Sequence, residues 1–131
     1  MIPKFRAWDT VKKSMSEAEA IVYVEEKVYP IYSKVIRRYI PFSEAILMQS
    51  TGLFDKNGKE IFEGDIIVAM SQGVKAIGEV KRRIDGYWLM YPSWQHGELW
   101  HIVENVDTGE TGVEIIGNIY ENPELVEVLN D

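Results

Sequence analysis

The fold class is decided by a stretch in the middle of the chain, DKNGKEIFEGDII, which covers residues 55–67. Its first four residues, 55–58, have the composition of a type I turn closed by a glycine in the left-handed conformation. Glu63-Gly64-Asp65 predicts a second turn. The run after it, residues 66–70, is apolar at successive positions, as in a strand buried on both faces. Short strands separated by such turns predict a mainly β protein.

Beyond this stretch, residues 76–91 predict a β-hairpin. The Asp-Gly dipeptide at positions 85–86 is the preferred sequence of a two-residue type I′ turn. A turn at that place would put Arg83 opposite Trp88, where the guanidinium could lie over the indole ring. Further on, the N-cap and first-turn pattern Asn-Pro-Glu at 122–124 predicts a short C-terminal helix.

The first part of the chain gives mixed signals. Ser16 and Glu19 form a capping-box pattern, which favours the first turn of a helix. The β-branched and aromatic residues of 21–24 and 28–32 favour strands instead. We therefore expect residues 1–45 to form a smaller, mixed α/β N-terminal part with at most one or two short helices. Residues 46–131 are expected to form the larger β part that ends in the short helix.

Charge is distributed unevenly along the chain. The formal net charge is −7, with eight Lys or Arg against six acids in residues 1–50 and six against fifteen in residues 51–131. Nucleic-acid-binding surfaces concentrate positive charge, so the second half argues against broad affinity for DNA or RNA. Acidic faces of this kind commonly keep a small protein soluble.

No set of residues suggests a particular reaction. The chain has no cysteine, which excludes disulfides, a thiolate nucleophile and a cysteine-ligated zinc site. Its two histidines, His96 and His101, would point to opposite faces of a strand and would not converge on a metal ion. We therefore expect a protein that is not an enzyme, with no catalytic residues, no metal site and no cofactor.

The expected compartment is the cytoplasm. The first residues, MIPKFR, contain no apolar run that could serve as a signal peptide. The longest uninterrupted apolar stretches, such as residues 66–70, are far too short to cross a bilayer.

Three blocks of sequence resemble the YopX-like family, which is found in bacteriophages and prophages. They are KFRAWD at residues 4–9, LMQSTGLFDKNGKEIFEGDII at 47–67 and VEIIGNIYENPEL at 113–125. The resemblance implies a mainly β fold whose second half is an SH3-like small barrel, in a protein of a bacterial host cell. It implies no activity and supplies no catalytic residues.

Aromatic residues crowd the region after the predicted hairpin turn. Trp88 lies on the face away from the core, and Trp94 lies in a loop, so both are harder to bury than ordinary core residues. We predict a partner-contact surface formed by Trp88, Trp94, Trp100 and Arg83. The alternative is that the N-terminal region covers these side chains.

The leading functional hypothesis is a non-enzymatic phage or prophage interaction module that binds a protein partner, or another copy of itself, through this aromatic surface. The alternative is a small β-barrel protein that binds nucleic acid, because Lys81-Arg82-Arg83 lies beside Trp88.

Overall fold

The computed structural model describes residues 4–31, 37–71, 74–82, 88–92, 100–101 and 111–127. In these residues the chain is mainly β, with two antiparallel sheets and one short helix. The chain divides into two compact units, Met1–Ser50 and Thr51–Asp131.

The first unit contains four complete strands, a short 3₁₀ turn and the beginning of a fifth strand. These are β1 (Phe5–Asp9), β2 (Ser14–Val22), β3 (Lys27–Pro30), β4 (Ile40–Pro41), the 3₁₀ turn (Phe42–Glu44) and β5 (Ala45–Phe54). Strand β5 runs across the boundary into the second unit. The remaining elements are β6 (Glu60–Phe62), β7 (Asp65–Ser71), β8 (Val74–Arg82), β9 (Trp88–Pro92), β10 (Trp100–His101), β11 (Glu114–Asn118) and α1 (Glu124–Glu127).

The sheet of the first unit is strongly curled. Its strands follow the order β4-β3-β2-β1-β5, with β6 next to β5. In a flat sheet β4 and β5 would lie about 19 Å apart, at about 4.8 Å per strand. The chain from Pro41 to Ala45 can span at most about 14 Å. The sheet therefore bends, and β2 supplies the bend, because its pairing with β3 shifts register between Ala18 and Ala20.

The curled sheet encloses a small apolar core. Ala7, Val28 and Ile40 are buried, with Phe42 and Leu47 packed against them. Burying side chains the size of valine or isoleucine contributes roughly 1.5–3 kcal/mol each.

The prediction of a mixed α/β N-terminal part is wrong for the described residues, which contain no α-helix before residue 51. Residues 4–31 and 37–50 form strands, turns and one 3₁₀ turn, and Ser16 of the capping-box pattern lies in β2 opposite Ala7. The Ser16 side chain is buried there. Pairing with β1 outweighs the weak local preference of a capping box, since tertiary contacts routinely override propensity.

The sheet of the second unit has the order β10-β9-β8-β7-β11. Its core contains Ile61, Ile67, Ala76, Val80 and Val113. The adjacent pair at positions 66 and 67 is fully buried, which confirms that this part of β7 is covered on both faces. The short C-terminal helix is confirmed as α1, residues 124–127.

The turns of the stretch at residues 55–67 are confirmed. Gly58 has φ +83° and Gly64 has φ +88°, both in the left-handed region. The N–H of Gly58 donates to the carbonyl oxygen of Asp55 at 3.0 Å, which closes the first turn.

The register predicted for the β8–β9 hairpin is wrong. Arg82, not Arg83, pairs with Trp88, and Val80 pairs with Met90. The described register is thus one residue away from the predicted one. The predicted Asp-Gly turn at 85–86 lies outside the described residues.

Candidate interaction surface

Two apolar side chains lie at the tip of the hairpin between β2 and β3. Tyr23 is 72% exposed and Val24 is 97% exposed. Glu25 and Glu26 complete the turn, and we call residues 23–26 the hairpin tip. Hairpin turns are normally built from glycine and small polar residues, so adjacent exposed Tyr and Val are unusual for this position.

Two backbone hydrogen bonds and one ring contact hold the hairpin tip. The N–H of Glu26 donates to the carbonyl oxygen of Tyr23 at 3.1 Å, and the N–H of Phe42 donates to the carbonyl oxygen of Glu26 at 2.9 Å. The ring of Tyr23 meets the ring of Phe42 edge to face, with centroids 5.9 Å apart. Because the backbone is held in this way, binding through the tip would cost little conformational entropy.

A second group of aromatic side chains lies beside the tip. The rings of Tyr29 and Tyr39 are 6.2 Å apart, and Nζ of Lys27 lies 4.2 Å from the centroid of the Tyr39 ring. This distance fits a cation–π contact. The Tyr29 hydroxyl donates to Oε1 of Glu25 at 2.8 Å, which ties this group to the tip.

The charges around the tip have both signs. The hydrogen bond to Glu25 is the main reason why the pKa of Tyr29 is raised, and the positive charge of Arg38 opposes that rise. Glu25, Glu26 and Arg38 are exposed, and Lys27 is half-buried. The surface therefore presents two acids on the turn, one base at the start of β3 and one base in the bend before β4.

The residues of the predicted aromatic surface are only partly described. Trp94 and Arg83 lie outside the described residues. For Trp88 and Trp100 the structure gives the backbone register, which pairs Trp88 with Arg82 and Trp100 with Met90. The partner-contact surface at these four residues therefore stays a prediction.

The sequence contains a signal for the turn between β2 and β3. Residues 21–24 favour a strand, because all four are β-branched or aromatic. The acids Glu25 and Glu26 between two strand-like segments marked the turn. Strand β2 ends at Val22, so the last two apolar residues of the run belong to the turn and are exposed.

The acid at the end of the first block, Asp9, is structural. Its side chain is buried, and Arg37 donates to it from Nε at 2.8 Å and from Nη2 at 2.7 Å. Arg37 also contacts Glu44 through Nη1 at 2.7 Å. Burial alone would raise the pKa of Asp9, but the hydrogen bonds from Arg37 and from two backbone amides outweigh it and lower the pKa.

In the second block, Asp55 organises the turn after β5. Its Oδ1 accepts the N–H groups of Asn57 and Lys59, both at 2.9 Å, and its Oδ2 accepts the N–H of Ile115 at 3.1 Å. The carboxylate is fully buried. Burial alone would raise its pKa, but these backbone hydrogen bonds prevail and lower the pKa.

In the third block, the side chain of Asn118 also accepts backbone N–H groups at a turn. Its Oδ1 accepts the N–H groups of Tyr120 and Glu121 at 3.0 and 2.8 Å. The preceding Gly117 allows a close approach, because a Cβ there would lie 2.5 Å from Oδ1 of Asn122. Each block thus contains a polar side chain that satisfies backbone N–H groups at a turn.

In the part of the chain that the structure describes, no group of three or more His, Asp or Glu side chains is arranged to hold a metal ion. The described residues also contain no helix long and apolar enough to cross a membrane.

Its two antiparallel sheets make the chain a small mainly β protein. A family model described as YopX protein matches residues 4–127, so the chain belongs to the YopX family. It is similar to a solved structure, that of protein EF1440 from Enterococcus faecalis, at 30% sequence identity and a TM-score of 0.57. That match covers 96% of this chain and 99% of the other. No match was found among curated proteins.

Proposed function

We propose that this protein is a non-enzymatic interaction module that binds another protein through the hairpin tip. The observation that carries the proposal is the exposure of Tyr23 and Val24 on a turn held by backbone hydrogen bonds. Tyrosine is enriched among the residues that dominate binding energy at protein interfaces. Rigid tyrosines also provide a large contact area at low entropic cost.

Two of the buried acids, Asp9 and Asp55, have structural roles. The carboxylate oxygens of Asp9 accept hydrogen bonds from Arg37, and those of Asp55 accept hydrogen bonds from backbone N–H groups. Both have a lowered pKa, whereas a general acid or base working near neutral pH needs a raised one. These carboxylates are therefore suited to holding turns and not to proton transfer.

Site-specific photo-crosslinking in bacterial cells tests this proposal. A photoreactive residue is placed at Val24 in the hairpin tip or, as the matched control, at Val11 in the β1–β2 turn. Val11 is also an exposed valine in a turn, at 55% exposure, but it has no aromatic neighbour in the contacts described above. We expect discrete crosslinked products from position 24 and none from position 11.

Folding of both crosslinking variants is checked by circular dichroism and thermal unfolding. Equal products from both positions, or none from position 24 in a folded protein, would contradict binding through the hairpin tip.

Nucleic-acid binding is the second candidate, and the observed register favours it at one place. Arg82 lies directly opposite Trp88, next to the exposed Lys81. A base can stack on an aromatic ring while basic groups neutralise the phosphates. The protein would then be retained on single-stranded or double-stranded DNA or RNA at low salt and released as salt rises. Trp88→Ala would reduce this retention, and an absence of retention at low salt would remove the candidate.

The predicted tryptophan surface is a further part of the proposal. If Trp88, Trp94, Trp100 and Arg83 form a second contact surface, then Trp88→Ala and Trp94→Ala should change self-association or partner binding. We further propose an SH3-like barrel for residues 46–131 and a phage or prophage origin with action in the host cytoplasm. The resemblance of the three sequence blocks supports both.

A further inference from the structure

We infer that the partner of the hairpin tip is a second copy of the same chain, bound around a two-fold axis. This inference rests on the proposed function, because it names the occupant of the same surface. Closed two-fold dimers are the commonest assemblies of soluble proteins. In such an interface each surface must be complementary to itself.

The charges of the tip meet this condition. Glu25 and Glu26 lie on the turn, whereas Lys27 and Arg38 lie beside it, next to Tyr39 and Tyr29. When two tips cross around a two-fold axis, the acids of one copy face the bases of the other. A surface of one sign would repel its own copy, and this surface carries both signs close together.

The apolar residues supply the contact that charges alone do not. Tyr23 and Val24 project from the turn and would meet the tyrosine pair of the opposing copy. Lys27 and Arg38 would then lie at the rim of the contact, where charged pairs determine partner choice and encounter rate more than affinity. The apolar centre and the charged rim therefore have separable effects.

Solution mass measures the inferred dimer directly. Sedimentation velocity over a range of concentrations should give a species of twice the chain mass of 15.1 kDa. Tyr23→Ser and Val24→Ser should each weaken dimerisation by at least about tenfold, as for truncated anchor residues. Val11→Ser at the other hairpin turn is the matched control and should leave the dimer unchanged.

A charge exchange makes the test specific to the two-fold arrangement. One variant carries Glu25→Lys and Glu26→Lys, and the other carries Lys27→Glu and Arg38→Glu. Each variant alone places like charges opposite each other and should remain monomeric. An equimolar mixture restores opposite charges on both sides of the axis and should form a mixed dimer. Loss of a purely structural contact would not be repaired by mixing.

The outcomes separate this inference from the proposed function. A wild-type protein that stays at 15.1 kDa at all concentrations overturns the self-pairing. So does a dimer that survives both Tyr23→Ser and Val24→Ser, or a mixture of charge variants that remains monomeric. If the wild type is monomeric but position 24 still crosslinks to a different protein, the interaction module stands and only the identity of its partner is wrong.

Discussion

Replacing Asp55 by alanine is expected to lower the free energy of unfolding by about 4 kcal/mol. The substitution removes the acceptor of three backbone N–H groups, those of Asn57, Lys59 and Ile115. Losing the partner of such a group costs roughly 1–3 kcal/mol where water cannot replace it. A loss of this size is a large part of the 5–15 kcal/mol that typically stabilises a domain. Urea unfolding followed by circular dichroism measures the change.

Two further variants show whether the carboxylate itself is responsible. Asp55→Asn keeps the size and one acceptor oxygen, so it should lose about half as much stability as the alanine variant. Glu114→Ala breaks only the exposed contact to Lys56 and should change stability by less than about 0.5 kcal/mol. Equal losses for Asp55→Ala and Glu114→Ala would show that Asp55 does not hold the turn.

Local sequence was sufficient to predict the turns around β6 and β7. The Asp-Lys-Asn-Gly turn at 55–58 depends on a side chain that bonds its own following backbone and on a glycine that adopts positive φ. Both preferences act within a few residues. The buried strand after Gly64 was also predictable, because a continuous apolar run reports burial on both faces.

Contacts between distant residues decided the features that the sequence did not reveal. Residues 16–19 carry a helix-start pattern, yet they lie in β2 because Ser14–Glu17 pair with β1. There a weak local preference competes with many cooperative contacts, and the contacts prevail. In the β8–β9 pair, Arg82 lies opposite Trp88, one residue away from the register that an Asp-Gly turn predicts.

The candidate site was missed for a related reason. The sequence singled out Trp88 and Trp94 as hard to bury, and that stays a prediction. The exposure of Tyr23 depends on where β2 ends, and strand ends are the least reliable part of a sequence-based prediction. A shift of two residues moves Tyr23 and Val24 from a half-buried strand to the turn.

The partner of Asp9 was also beyond sequence reasoning. Arg37 follows Asp9 by 28 positions, and no periodic pattern links the two. Asp9 and Arg37 become neighbours only because the curled sheet brings the end of β1 next to the 3₁₀ turn. At that place the backbone carbonyl oxygen of Glu44 accepts the N–H of Thr10 at 2.9 Å. The ion pair then fastens residue 37 to the strand that ends at Asp9.

Asp9→Asn is expected to destabilise the protein by about 3 kcal/mol at neutral pH, because charge-assisted hydrogen bonds contribute more than neutral ones. The pKa of Asp9 is lowered from its ordinary value of 3.8 in the folded protein. The carboxylate therefore contributes its full stabilisation above pH 3.8 and loses it as the pH falls through the folded pKa. The asparagine side chain does not titrate, so the stability difference between wild type and variant should narrow as the pH falls below 3.8.

Urea unfolding of wild type and Asp9→Asn at several pH values, from about 7 to about 2.5, measures this narrowing. Asp55 also has a lowered pKa, so it contributes to acid sensitivity in both proteins and cancels in the difference. Arg37→Gln removes the cationic partner of Asp9. In the Arg37→Gln background the effect of Asp9→Asn should be smaller, because the two changes remove the same interaction. If the difference in the free energy of unfolding between wild type and Asp9→Asn stays constant across this pH range, the ion pair does not stabilise the fold. The end of β1 would then be held by the backbone hydrogen bonds of its turn alone.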